Sequence, residues 1–181
     1  MSAPINVQSI IDDRKRNVIV LPPTCTDTEI MDLLVNIDVP DLGRAVAFYR
    51  DAFGLTVTRR FGADVVELSG WPVGLYLLQK PAGSPGAADA LRHYDRHWTP
   101  VHFDVVVDDL DAALKRALVA GARAEGAIRT EAWGKIVVLA DPFGHGLCLI
   151  QFLGRGYDEI AERINGAISG FAEIKRNRDE P

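Results

Sequence analysis

The residues best suited to chemistry in this chain are a histidine and an aspartate two positions apart, His102 and Asp104. Residues i and i+2 of a β-strand point to the same face, so a strand here would bring the imidazole and the carboxylate together. Three roles then compete for His102: a metal ligand, a general base oriented by Asp104, or a hydrogen-bonding residue in a wall. We favour a binding or structural role and keep the other two as alternatives.

Two further histidines, His93 and His97, have the spacing that places metal-binding pairs on one face of a helix. They stand among Arg92 and Arg96, and no glutamate completes a metalloprotease pattern. Because this segment follows several prolines and glycines, a solvated linker is the favoured interpretation.

A short pattern occurs twice, which predicts that one supersecondary unit is duplicated. Residues 39–42 (VPDL) correspond to residues 107–110 (VDDL), and residues 74–79 (GLYLLQ) correspond to residues 146–151 (GLCLIQ). Each copy predicts the element order βαβββ. The expected fold class is therefore α+β, with two βαβββ modules related by pseudo-twofold symmetry and curved mixed sheets that enclose a cleft.

The predicted helices have capping residues at both ends. Asp41 and Asp109 are N-caps, and Gly54 and Gly121 follow the last helical residues. The apolar positions between these caps recur at helical spacing. The predicted strands occupy 33–39, 55–61, 64–68 and 73–79 in module one, and 101–107, 122–129, 135–140 and 146–152 in module two.

The segments outside the repeat complete the predicted domain organisation. The expected divisions are an N-terminal extension at 1–30 with a candidate strand at 17–21, a single domain at 31–156, and a C-terminal helix and tail at 157–181, with the helix over 157–174. Within the domain, module one covers 31–80, a linker with a helical turn at 87–98 covers 81–100, and module two covers 101–153.

Strand alternation predicts which side chains face the cleft. Its symmetry-matched positions are Leu34 with His102 and Tyr76 with Cys148. Cys148 is a candidate nucleophile beside His102, although a buried cysteine more often acts as a small hydrophobic residue. The candidate catalytic residues are His102 and Asp104, and the candidate substrate-binding residues are Asn36, Asp38, Tyr76, Cys148 and Trp98.

The composition excludes several classes of protein. A net charge of -5 disfavours a nucleic-acid partner, which requires a basic face. No apolar run approaches the roughly 20 residues of a membrane helix, and the N-terminus has no apolar signal core. Two cysteines do not make a disulfide framework. We therefore expect a cytoplasmic protein without a nucleic-acid or membrane partner.

With these motifs, residues 33–152 resemble the vicinal oxygen chelate superfamily, which contains glyoxalase I, bleomycin and fosfomycin resistance proteins, and extradiol dioxygenases. The resemblance lies in VPDL at 39–42, AFYRDAFGL at 47–55, VDDL at 107–110 and DPFGH at 141–145. It implies the fold given above, and it implies pairing of two chains into a homodimer. It does not identify a reaction, because one fold hosts many functions.

The resemblance also implies where a metal would bind. Metal-using members take His or Glu ligands from the first and last strands of each module, and the matching positions are Leu34, Tyr76, His102 and Cys148. His102 alone fits this ligand pattern, so no cofactor is expected and a divalent metal is the alternative. The expected function is that of a glyoxalase- or bleomycin-resistance-like protein that binds a small organic ligand. The alternative is a metal-dependent lyase, isomerase or dioxygenase that uses His102.

Overall fold

The computed structural model describes residues 33–162, in which two sheets and two helices follow the predicted order. The candidate strand at 17–21 lies outside the described residues. None of the helices within 33–162 has the length and apolar character needed to cross a membrane. The α+β class and the double βαβββ order are confirmed.

Module one is a four-stranded mixed sheet with one helix. Its elements are β1 (Leu34–Val39), α1 (Leu42–Phe53), β2 (Thr56–Phe61), β3 (Val65–Ser69) and β4 (Gly74–Gln79). The strand order is β1-β4-β3-β2, in which β1 and β4 run parallel and the other pairs are antiparallel. The crossover through α1 is what allows β1 to lie parallel to β4.

Module two repeats this arrangement with one difference. Its elements are β5 (Phe103–Val106), α2 (Leu110–Ala120), β6 (Arg123–Ala124), β7 (Arg129–Glu131), β8 (Gly134–Ala140) and β9 (Gly146–Phe152). The strand order is β5-β9-β8-β6, and β7 also pairs with β8. The single strand predicted at 122–129 is wrong: β6 and β7 are separate, and Gly126, which contributes no side chain to a sheet, lies between them.

The helix caps predicted from the sequence are confirmed. Asp41 and Asp109 each accept a hydrogen bond from the backbone N–H three residues on, at 2.9 and 3.0 Å. Gly54 and Gly121 follow the helices in the left-handed conformation, with φ of 72° and 111°. The last strand of each module adds a contact at the same place. The Gln79 side chain of β4 accepts the backbone N–H of Leu42, and the Gln151 side chain of β9 accepts that of Leu110.

The core joins the two modules through their helices. Helices α1 and α2 pack against each other, and the helix-facing side chains of both sheets belong to the same buried cluster. The opposite faces of the sheets are open: Leu34 on β1 and Val106 on β5 are each 56% exposed. The helices therefore cover one face of each sheet and leave the other face free.

The linker at 81–100 has no helix, so the helical turn predicted at 87–98 is wrong. Backbone hydrogen bonds fold it back on itself instead: the N–H of Arg92 donates to the Ser84 carbonyl, and the N–H of Gly83 donates to the Arg92 carbonyl. The Tyr94 hydroxyl then fastens the linker to the carbonyl of Lys80, at 2.7 Å. After β9 the chain makes a 3-10 turn at Gly156–Glu159, and the predicted helix at 157–174 lies largely outside the described residues.

Candidate functional site

The free face of module two carries the predicted histidine, aspartate and cysteine. Asp104 on β5 stands opposite Cys148 on the neighbouring parallel strand β9. Their neighbours Phe103 and Leu149 turn to the other face and pack in the core. The alternation of side chains thus puts the polar residues of both strands on one surface.

His102, Asp104 and Cys148 form a compact group of donor atoms. His102 Nε2 lies 3.4 Å from Asp104 Oδ1, and the two side chains are 41% and 42% exposed. One donor atom from each of the three residues lies within 4.8 Å of the others. The group therefore has two solvent-accessible members and a buried thiol.

The Cys148 thiol is protonated at neutral pH. Burial raises its pKa to about 11, and the neighbouring Asp104 carboxylate acts in the same direction, while Arg129 opposes the shift. A nucleophilic thiolate needs a lowered pKa, so this environment disfavours the nucleophile considered for Cys148.

Aromatic rings border the same surface. Trp133, Phe152 and Tyr157 pack together with ring centroids 4.8 to 6.2 Å apart. Burial, and then the nearby Asp104 and Cys148, raise the pKa of the Tyr157 hydroxyl. Tyr157 was not predicted as a site residue, because the sequence pattern placed it at the start of a terminal helix.

Trp98 lies beside His102. The two ring centroids are 6.1 Å apart, and Trp98 is 72% exposed. Trp98 therefore offers a flat apolar surface beside the imidazole, as its candidacy as a substrate-binding residue requires.

The candidate residues of module one lie on the free face of the other sheet. Asn36 on β1 stands opposite Tyr76 on β4. The Tyr76 hydroxyl accepts a hydrogen bond from Arg59 Nη2 at 3.1 Å, and Arg59 also pairs with Glu67. That ion pair lowers the pKa of Glu67. Tyr76 is thus held by a charged network that sequence alternation did not reveal.

Asp38 does not join either group. Its carboxylate accepts a hydrogen bond from Arg92 Nε in the linker at 2.6 Å. The pair ties β1 to the linker, which gives Asp38 a structural contact in addition to the predicted binding role.

A second polar centre, centred on Asp141, lies between the modules. This carboxylate is 5% exposed and is the one buried charged residue within 33–162. Its Oδ2 accepts the Tyr49 hydroxyl from α1 at 2.9 Å and His145 Nδ1 at 2.8 Å. Its Oδ1 accepts the backbone N–H groups of Phe143 and His145, each at 2.8 Å. The sequence identified a turn at 141–144 but not this connection.

The double βαβββ fold and its polar free face define a protein of the vicinal oxygen chelate class. More particularly, residues 34–150 match the family model described as a glyoxalase-like domain, and the chain belongs to that family. The superfamily predicted from the sequence motifs is therefore confirmed.

Among curated proteins, the chain is similar to the uncharacterized proteins Mb0911c of Mycobacterium bovis and Rv0887c of Mycobacterium tuberculosis. Both are 48% identical over 54 residues, which is 29% of this chain. The match spans about a third of the length of each relative, at 36% and 32%.

Solved structures share the fold at low sequence identity. The fosfomycin resistance protein FosX of Listeria monocytogenes is 15% identical, with a TM-score of 0.56 over 74% of this chain and 100% of its own. TioX of Micromonospora sp. ML1 is 21% identical, with a TM-score of 0.53 over 68% and 99%. A glyoxalase/bleomycin resistance protein/dioxygenase family enzyme of Burkholderia phytofirmans is 19% identical, with a TM-score of 0.53 over 66% and 97%.

Proposed function

We propose that this protein binds a small, flat, amphipathic organic molecule on the free face of module two, without a metal. The observation that carries this proposal is the polar group of His102, Asp104 and Cys148 beside the aromatic rings of Tyr157 and Trp98. Binding sites of this kind combine apolar walls with a few polar groups that fix orientation.

The polar groups suit a ligand that carries a hydrogen-bond donor. Asp104 is exposed and its carboxylate can only accept, so it would receive an N–H or O–H group. His102 would orient the carboxylate and offer its own ring nitrogen. Should a reaction occur, the same pair would serve as the general base, since the imidazole and carboxylate already lie 3.4 Å apart.

A thermal-shift screen of flat, amphipathic aromatic compounds tests the proposal. A compound at 100 times its dissociation constant should stabilise the protein by about 2.7 kcal/mol. We expect the shift to shrink in Asp104→Asn and to persist in Asp108→Asn, a matched control at an exposed aspartate beyond β5. An equal shift in both variants would place the ligand elsewhere and refute the proposal.

A metal-dependent enzyme is the second candidate, favoured by the three donor atoms within 4.8 Å. Imidazole, carboxylate and thiolate are ligands that zinc accepts, and three of them leave a fourth position open. FosX of Listeria monocytogenes was solved as a variant complexed with Mn(II), but the donors here suit zinc better than manganese. Such an ion would act as a Lewis acid, while His102, Asp104 and Cys148 would hold it.

Metal analysis separates the two candidates. Protein purified without chelator or a nickel column should contain no zinc that depends on His102 if the binding function is right. One equivalent of zinc that is lost in His102→Ala would support the enzyme instead. Binding would also strengthen as pH rises, because the Cys148 thiol with its pKa near 11 must release a proton.

We also propose that the protein forms a homodimer that covers the free faces. Val101 and Trp98 near His102 are 73% and 72% exposed, and Leu34 and Val106 are each 56% exposed, as expected of an interface. Light scattering after size-exclusion chromatography should give twice the chain mass of 19.8 kDa. A single-chain mass at micromolar concentration would refute this. A cytoplasmic location stays a prediction.

A further inference from the structure

A cavity of about 180 Å³ lies between the linker and the turn that joins β8 to β9. Three of the four histidines of the chain line it: His93 and His97 from the linker, and His145 from the turn. The cavity is thus bordered by residues other than His102, Asp104 and Cys148, and the proposed function does not use it.

His145 has a fixed tautomer. Its Nδ1 lies 2.8 Å from Asp141 Oδ2, and the same carboxylate accepts bonds from Tyr49 and from two backbone N–H groups. The Asp141 carboxylate acts as the acceptor toward these donors, so the Nδ1 of His145 carries the hydrogen. In the neutral ring the lone pair is then on Nε2, for which no described residue serves as a hydrogen-bond partner.

His97 is oriented in the same manner by a different acceptor. Its Nδ1 lies 2.9 Å from the backbone carbonyl oxygen of Asp95, which can only accept. The lone pair of neutral His97 is therefore also on Nε2. The ring of His93 stands beside it, with the two ring centroids 4.6 Å apart.

We propose that this cavity is a binding site for a borderline divalent metal ion such as Zn²⁺ or Ni²⁺, held by His145, His97 and His93. Metal-binding histidines usually donate their other ring N–H to a carboxylate or a backbone carbonyl, which is the arrangement of His145 and His97. Imidazole nitrogens select this class of ion over Ca²⁺ or Mg²⁺. An anion is disfavoured, because Arg92 is paired with Asp38 and Asp95 adds a carboxylate to the lining.

The site is not preassembled. Within residues 33–162, the group with three donor atoms already within 4.8 Å is the one on the free face of module two. His97 is held by its bond to the Asp95 carbonyl, whereas His93 is an exposed side chain on an irregular segment and can turn toward the cavity when an ion arrives. The ordering of His93 offsets part of the binding energy, and we expect micromolar rather than nanomolar affinity.

Calorimetric titration of the chelator-treated full chain with ZnCl₂ at pH 7.5 tests the site. We expect one equivalent to bind, and the dissociation constant to rise at least tenfold in His97→Ala and in His145→Gln. His97→Ala alters an exposed linker side chain, which keeps the test valid if His145→Gln disturbs the turn. His102→Ala is the matched control and should leave this binding unchanged.

Nuclear magnetic resonance then identifies the ligands. Substoichiometric Ni²⁺ should broaden the imidazole signals of His93, His97 and His145 and leave that of His102 sharp. With Co²⁺ added to the Cys25→Ser variant, a thiolate charge-transfer band would mean that Cys148 binds the ion. Three results would each overturn the proposal: that band, selective broadening of the His102 imidazole signal, or no binding of Zn²⁺ when the ion is at 100 times the protein concentration.

Discussion

Removing one buried hydroxyl tests how the two modules are held together. Tyr49 of α1 is 1% exposed, and its hydroxyl donates to Asp141 Oδ2 in module two at 2.9 Å. The substitution Tyr49→Phe removes this bond and keeps the ring, which packs edge-on against Phe48. The change is therefore confined to one hydrogen bond between the modules.

The expected cost follows from the charge of the acceptor. A hydrogen bond to a charged group contributes about 1.5–3 kcal/mol. The lower part of that range applies, because His145 Nδ1 still binds the same oxygen at 2.8 Å. We therefore expect a loss of about 2 kcal/mol in the free energy of unfolding, or roughly 4–8 °C in Tm for a domain of this size.

Urea denaturation followed by circular dichroism measures the loss, with an unchanged m-value expected. Tyr94→Phe is the matched control, since it removes a hydroxyl that donates to a neutral carbonyl, that of Lys80 at 2.7 Å. We expect this control to lose about 1 kcal/mol. If Tyr49→Phe loses no more than Tyr94→Phe, Asp141 is not an electrostatic link between the modules.

The alkaline range gives an independent check. Burial, followed by the charge of Asp141 and the hydrogen bond to it, raises the pKa of Tyr49 well above its ordinary value of 10.0. The unfolded chain then ionises first, so the stability contributed by this shift is present below pH 10 and is lost as pH rises above it. Wild-type protein should lose stability above pH 10 more steeply than Tyr49→Phe.

Two further predictions concern single positions. Burial raises the pKa of Cys148 from an ordinary 9.0 to about 11, so alkylation of this thiol in the folded Cys25→Ser variant should be slow at pH 8 and accelerate toward pH 11. The unfolded chain loses this proton first, so the stability that the shift contributes should be lost between pH 9 and 11. Rapid alkylation at pH 8 would contradict the burial. Gly144→Ala should cost about 2–3 kcal/mol, since φ is 92° and a Cβ would lie 2.6 Å from the Tyr94 carbonyl oxygen. Gly126 has open space around it, so Gly126→Ala should change stability by less than about 0.5 kcal/mol. If Gly144→Ala and Gly126→Ala cost the same free energy of unfolding, the close contact at Gly144 is refuted.

Local patterns in the sequence were sufficient for the architecture. The duplicated VPDL and VDDL segments predicted two modules, and Asp41 and Asp109 cap the helices as expected. Alternation placed Asp104 and Cys148 on one face, and they stand opposite each other in the sheet. These features depend on contacts within one strand, one helix terminus or one pair of strands, so short-range physics determines them.

Contacts between distant segments could not be read in this way. Tyr49 and Asp141 are 92 positions apart, and their bond exists because α1 of one module packs near the β8–β9 turn of the other. The network of Arg59, Glu67 and Tyr76 likewise depends on three strands lying side by side. Sequence periodicity gives the face of each residue but not its partner on another element.

The linker shows most clearly the difference between local features, which the sequence predicts, and contacts between distant segments, which it does not. His93 and His97 have a spacing suited to a helix, whereas backbone hydrogen bonds fold that segment back on itself without one. Their common cavity with His145, a residue from the far end of module two, arises only when the linker packs against the β8–β9 turn. Residue types and local geometry were therefore determined by the sequence, while the placement of these imidazoles around one cavity was decided by the packing of the linker against the β8–β9 turn.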